Sequence, residues 1–179
     1  MPRYDRERWL DAALNALAEE GGARLRVDAL VKRLGVTKGS FYHHFLNRDD
    51  FISAVADYWA QVYTYDVIAH VEEKGGDGHR RIRTLIETIG SGGYDRYDIA
   101  FRSWAAQDAN VAKRMRIVDE HRYVFLRSVF ADMGFEGAEL ETRVRACLVF
   151  VSAQRAVYTP EANRTAVDAE SAIAFFTRP

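Results

Sequence analysis

The chain has 179 residues, 48% hydrophobic and 28% charged, a balance that excludes a disordered, collagenous or disulfide-stapled protein. Its single cysteine, Cys147, forms neither an intrachain disulfide nor a cysteine-rich zinc site, which fits a reducing compartment. With a formal net charge of −1, any affinity for a polyanion has to come from a local concentration of basic residues.

Helical periodicity begins at once. Leu10, Ala13, Leu14 and Leu17 share one stripe, with Trp9 and Ala16 beside it, until Gly21-Gly22 stops the pattern. The opening segment alternates charged and apolar residues where a secretory leader needs an unbroken apolar run, and no stretch approaches the roughly 18–20 apolar residues of a membrane span. The expectation is a soluble, unprocessed, cytoplasmic protein without membrane contact. Val27, Leu30, Val31 and Leu34 form a second, shorter stripe, and Gly35 closes it by accepting a left-handed backbone. Thr37 offers an N-cap hydroxyl to a third short helix, Lys38 to Phe45, in which Phe41 and Phe45 face inward together. Asn47 caps a long helix from Arg48 to about Val71, carrying Phe51, Ile52, Val55, Ala56, Trp59, Val62 and Tyr63 at helical spacing. That length exceeds what a small N-terminal unit covers, so its second half is expected to pack on a second domain.

Lys74-Gly-Gly-Asp-Gly is the clearest break in the chain. Further helices are predicted over His79 to Ile89, ended by Gly90-Ser-Gly-Gly, over Tyr97 to Gln107 and over about Asn110 to Met133. Leu140, Val144, Cys147, Leu148, Val151 and Tyr158 then mark one face of a helix whose other face carries Ala146, Val149, Phe150, Ala153 and Val157. Pro160 ends it, and a last helix near Val167 to Phe176 carries Ile173, Phe175 and Phe176. A helix apolar nearly all round must be covered on two sides. We therefore expect a homodimer with Val144, Cys147, Leu148, Val151, Ile173 and Phe176 at the contact. No β-alternating stretch of convincing length occurs, and the fold class is all-α: residues 1–47 as one domain, residues 48–179 as a second, with the helix 48–71 connecting them.

The charge is unevenly placed. Residues 24–48 hold six basic residues, Arg24, Arg26, Lys32, Arg33, Lys38 and Arg48, against one acid, Asp28. Two short helices joined by a tight glycine turn inside a three-helix unit are the helix-turn-helix design, whose second helix enters the DNA major groove. The segment VDALVKRLGVTKGSFYHHFLNRDDF resembles the signature of the TetR family of transcriptional regulators, on Gly35, Val36, Thr37, Gly39, Tyr42, His44 and Phe45. Departures from the family pattern are Arg26 for the usual threonine, Leu34 for alanine and Arg48 for lysine. Lys38 and Ser40 in the first turn are the candidates for base edges, with Gly39 permitting close approach of the backbone. Arg26, Thr37, Tyr42, His44 and Arg48 are candidates for phosphates, and His43 for either.

The resemblance implies a ligand-responsive repressor that binds a palindromic double-stranded operator as a dimer, with an unknown small-molecule effector held behind the DNA-reading head. Tyr94, Tyr97, Phe101, Trp104, Tyr123 and Phe125 are the candidate pocket residues, and Arg102 or Arg122 the candidates to orient an anionic group. The other reading is a helical interaction or signalling module that binds no DNA. Enzyme chemistry finds little support. Histidines 43, 44, 70, 79 and 121 include no pair at metal-ligand spacing, and the glycines at 75–78 and 90–93 follow no strand and read as loops. Asp95 and Asp98 share a face but read as solvated acids. No cofactor, metal or catalytic residue is expected.

Overall fold

The structure, a computed structural model, describes residues 6–20, 25–92, 94–153 and 169–178. All regular structure among them is helical, as the periodicity implies. α1 (Arg6–Glu20), α2 (Val27–Leu34) and α3 (Lys38–His44) make an N-terminal head. Trp9, Ala13 and Leu17 recur every four residues on α1 and are completely shielded, with Leu10 and Leu14 beside them. Against them lie Leu30 of α2 and Phe41 of α3. Phe41 meets Trp9 edge-on at 5.6 Å and Phe51 at 5.3 Å, while Phe45 meets Phe51 at 4.8 Å. Deleting a buried ring of this size costs about 3–5 kcal/mol, so the aromatic floor fixes the pose of α3.

The turn between α2 and α3 follows from one residue. Gly35 takes φ 65°, which lets Val36 N–H donate to Val31 O at 3.1 Å and Gly35 N–H to Lys32 O at 3.3 Å. Thr37 occupies the N-cap position of α3 with an extended backbone, but its hydroxyl makes no capping bond. The first turn is closed by Ser40 N–H donating to Thr37 O at 3.0 Å instead. Asn47 caps α4 (Arg48–Ala60) as its sequence implies, its side chain accepting from Asp50 N–H at 2.9 Å, and Asp50 in return accepts from Leu46 N–H at 2.9 Å.

α4 continues without a break into α5 (Asp66–Lys74) through one wide turn over Gln61–Tyr65, where Asp66 N–H reaches back five residues to Gln61 O. The connecting helix is thus longer than expected and carries an inserted residue. α6 (Gly78–Gly92) runs on through the glycines predicted to end it at Ile89. Burial of Ile82, Leu85 and Ile86 outweighs the cost of about 1 kcal/mol per helical glycine. At its start α6 lies so close to the next long helix that a Cβ on Gly78 would fall 2.5 Å from Val129 O. α7 (Asp95–Ala105) starts two residues earlier than predicted, and α8 (Ala109–Asp132) is capped by the Asp108 carboxylate, which accepts from Asn110 and Val111 N–H at 2.9 and 3.1 Å. α9 (Gly137–Ala153) and α10 (Ala169–Thr177) complete the body. Arg143 of α9 ties the end of α10 by donating to Phe176 O at 2.9 Å and Arg178 O at 2.8 Å. The predicted continuation through Val157 and Tyr158, the stop at Pro160 and the helix start at Val167 lie outside the described residues.

Two apolar clusters hold these helices together. One joins the head and α4 to α7 and the first half of α8, with Trp59 stacked on Phe101 at 4.3 Å. The other joins α5, α6, the second half of α8, α9 and α10. The surplus apolar surface of α9 is resolved by orientation. Val144 and Cys147 are fully buried, Val151, Ile173 and Phe176 nearly so, and Leu148 packs beside them. Five of the six residues expected at a partner contact are buried in the chain's own core, and the sixth, Leu148, is half-buried against it. On the other side, Val149 and Phe175 are 66% and 73% exposed.

Candidate nucleic-acid interface

α3 lies on the outside of the head with its inward residues, Phe41 and the following Phe45, buried in the aromatic floor. The residues before and between these two rings reach the surface to different degrees. Lys38, Gly39, Tyr42 and His43 are exposed, Ser40 and His44 half-buried, and Tyr42 presents 60% of its surface. Thr37 and Arg48, at the two ends of this segment, and Arg26, before α2, are exposed as well. All nine residues singled out in the sequence thus lie on or beside the outer part of the head. Leu46, 86% exposed after α3, was given no role by sequence reasoning.

Gly39 has no use inside the protein. Its φ is not left-handed, and a Cβ there would meet only Thr37 Oγ1 at 3.7 Å, an ordinary contact. A helical glycine is costly, and nothing among the described residues calls for one here.

The basic residues divide. Arg33 turns to the α1 side, donating to both oxygens of Glu19 at 2.7 and 3.0 Å, and this bond holds the Glu19 carboxyl below its usual range. Lys38 Nζ stands 2.9 Å from Asp28, whose hydrogen bond and charge keep the ammonium protonated above the usual lysine range. Both partners of that second pair are more than half exposed, so the pair is weak and gives way to a phosphate at little cost. Arg26, Lys32 and Arg48 are exposed on the same unit, and Arg24 lies outside the described residues.

A second feature lies in the body. Between α5, α6, α7, α8 and α9 is an apolar cavity of about 30 Å³, opening to about 450 Å³ when its mouth is counted. Val67, Leu85, Ile89 and Leu148 form its greasy walls, and Tyr63, Tyr94, Asp98 and Arg122 its polar part. Asp98 and Arg122 are an ion pair with side chains only 5% and 12% exposed. Arg122 also donates from Nε to Thr64 Oγ1 at 2.9 Å, from Nη2 to Tyr63 O at 3.1 Å and from Nη1 to Ser152 Oγ at 3.4 Å. The guanidinium thereby joins the wide turn of the connecting helix to α7 and α9.

Of the eight candidate pocket residues, Tyr94, Arg122 and Phe125 line this cavity. Tyr97, Phe101 and Trp104 belong to the cluster under the head, Arg102 is paired with Asp119 at 2.7 Å, and Tyr123 donates to Glu141. Asp98, read as solvated, is instead buried against Arg122. Each of the two stands on the inward stripe of its own helix, Asp98 beside Tyr97 and Phe101, Arg122 between Val118 and Phe125. An opposite charge on each of two inward stripes was the available signal. Among the described residues, no three His, Cys, Asp or Glu side chains converge on a metal position, and no helix is long and apolar enough to cross a membrane.

Residues 10–55 match the family described as bacterial regulatory proteins, tetR family. A transcriptional regulator from Rhodococcus sp. Rha1 superposes with a TM-score of 0.69 at 23% identity, over 97% of this chain and 94% of that one. The superantigen PfiT gives 0.70 at 17% identity, over 95% and 92%. A transcriptional regulator from Cytophaga hutchinsonii ATCC 33406 gives 0.60 at 14% identity, over 96% and 95%. No curated protein matches the chain.

Proposed function

We propose that residues 10–55, which match the family of bacterial regulatory proteins described as tetR, are the DNA-binding unit of a homodimeric, ligand-responsive repressor of a palindromic operator. Fold likeness alone does not carry this, because one fold serves many functions. The observation that carries it is the outer face of α3: a glycine the fold does not need, flanked by Lys38, Ser40 and Tyr42, on a helix pinned by Phe41 and Phe45. Lys38 and Ser40 would read base edges while Arg26, Thr37, Tyr42, His44 and Arg48 hold phosphates.

Two heads have to meet half-sites about 34–36 Å apart, which calls for a second copy. The exposed Val149 and Phe175 on α9 and α10 are the surface we assign to it. The effector is assigned to the body cavity, whose wall connects to the head by short steps. Tyr63 meets Tyr94 and Tyr97 at 5.1 and 4.7 Å, and the Tyr97 hydroxyl hydrogen-bonds Asn15 of α1 at 3.1 Å. A ligand that moves the wall would tilt α1, and the resulting change in head spacing would spoil simultaneous docking. In this reading the chain binds DNA and a small molecule and catalyses no reaction.

The test is fluorescence anisotropy on DNA from upstream of the chain's own gene, across a salt series, beside a Lys38→Ala/Tyr42→Ala variant. Binding tighter than on scrambled DNA, weakened by salt and lost in the variant supports the regulator. Absence of even salt-sensitive non-specific binding sinks it and favours the helical interaction module.

A further inference from the structure

Resting on the assignment of an effector to the body cavity, we propose that its ligand is an uncharged, largely apolar small molecule, and that a carboxylate or ammonium compound is excluded. The reasoning starts from the donor count of Arg122. A guanidinium has five N–H groups. Here Nε serves Thr64, Nη1 serves Asp98 and Ser152, and Nη2 serves Asp98 and the Tyr63 carbonyl, so all five are spent inside the protein. An anion entering the cavity finds the one cation among the described lining residues, Arg122, already neutralised by a carboxylate. It would have to displace Asp98 into an apolar interior or remain unpaired there, and both are strongly unfavourable. A cation fares no better, since both Asp98 oxygens accept from the same guanidinium.

What remains is a greasy wall, Val67, Leu85, Ile89 and Leu148, and the half-buried Tyr94 as a polar neighbour for a single hydroxyl or carbonyl. Size adds a second condition. A cavity of about 30 Å³ is well below the roughly 150 Å³ that admits benzene, so a ring-sized ligand has to push the wall outward as it enters. The half-buried Tyr63, Ile68, Ile89, Tyr94 and Leu148 are the side chains free to give way.

Three probes of nearly equal size separate the charges: benzyl alcohol, benzoate and benzylamine at neutral pH, each titrated calorimetrically into the full chain and then into its DNA complex. We expect the alcohol to bind at least tenfold more tightly than either ion. A Leu148→Trp variant, which fills the cavity, should lose the alcohol. An Asp98→Asn variant leaves the guanidinium without its counter-charge and should shift the preference towards benzoate. Benzoate or benzylamine binding the unmodified chain as tightly as the alcohol overturns the proposal while leaving a ligand-responsive regulator standing. Alcohol binding that leaves DNA affinity unchanged supports the ligand class and removes the regulatory reading. No binding by any of the three overturns both.

Discussion

Substituting Gly39 by alanine should make the protein more stable and a poorer DNA binder. The added methyl meets nothing closer than Thr37 Oγ1 at 3.7 Å, and the backbone there is one that any residue adopts. Replacing a helical glycine under those conditions stabilises by about 0.5–1 kcal/mol. For a chain of this size that raises Tm by about 1–4 °C. On the DNA side the methyl stands on the exposed first turn of α3, between the side chains assigned to base edges. Loss of close approach there should weaken specific binding at least tenfold, about 1.4 kcal/mol. Gly35→Ala is the internal control. It also has open space around it, yet at φ 65° the new side chain is strained, so it should cost about 1–2 kcal/mol. Differential scanning calorimetry and anisotropy on one preparation of each variant give both numbers. A Gly39→Ala protein that binds the operator as tightly as its parent would refute the placement of this turn in the groove. One that melts lower would refute the account of its surroundings.

Four further outcomes follow from the body. Asp98→Asn leaves Arg122 buried without its counter-charge and should cost about 3–5 kcal/mol in urea unfolding, whereas Asp98→Leu with Arg122→Met should recover most of that; a single-variant cost below about 1 kcal/mol contradicts the pairing. Burial pushes the Cys147 thiol up to about 12, so the folded state keeps a proton that the unfolded state releases near 9. The stability this contributes is intact below pH 9 and lost as pH rises towards 12, and Cys147→Ala should show a shallower alkaline decline. A thiol reagent at pH 8 should likewise find Cys147 only after addition of concentrated urea. Finally, Val149→Lys with Phe175→Asp should yield monomers in sedimentation velocity with an unchanged helical spectrum; a persistent dimer places the contact elsewhere.

The head was legible because its signals are local. Gly35 announces a left-handed turn, Asn47 a cap, and Phe41 and Phe45 an inward face, each within a few residues of what it determines. The features missed depend on partners distant in the chain. Nothing in Gln61–Tyr65 marks a wide turn; it is stabilised where Arg122, on another helix, takes up the Tyr63 carbonyl and the Thr64 hydroxyl. Asp98 looked solvated until α8 supplied its counter-charge. The glycines after Ile89 signalled an end that the packing of α6 overrides. On α9, both faces are apolar in sequence, so periodicity alone could not tell which one the chain covers itself and which it leaves exposed.

Because the head shares its apolar cluster with Phe101, Trp104 and the first half of α8, it is not a detachable reading module. Cutting the chain after α4 would strip that helix of the Phe101 ring stacked on Trp59. A chimaera that carries this head onto another body would have to keep α7 and the start of α8 with it.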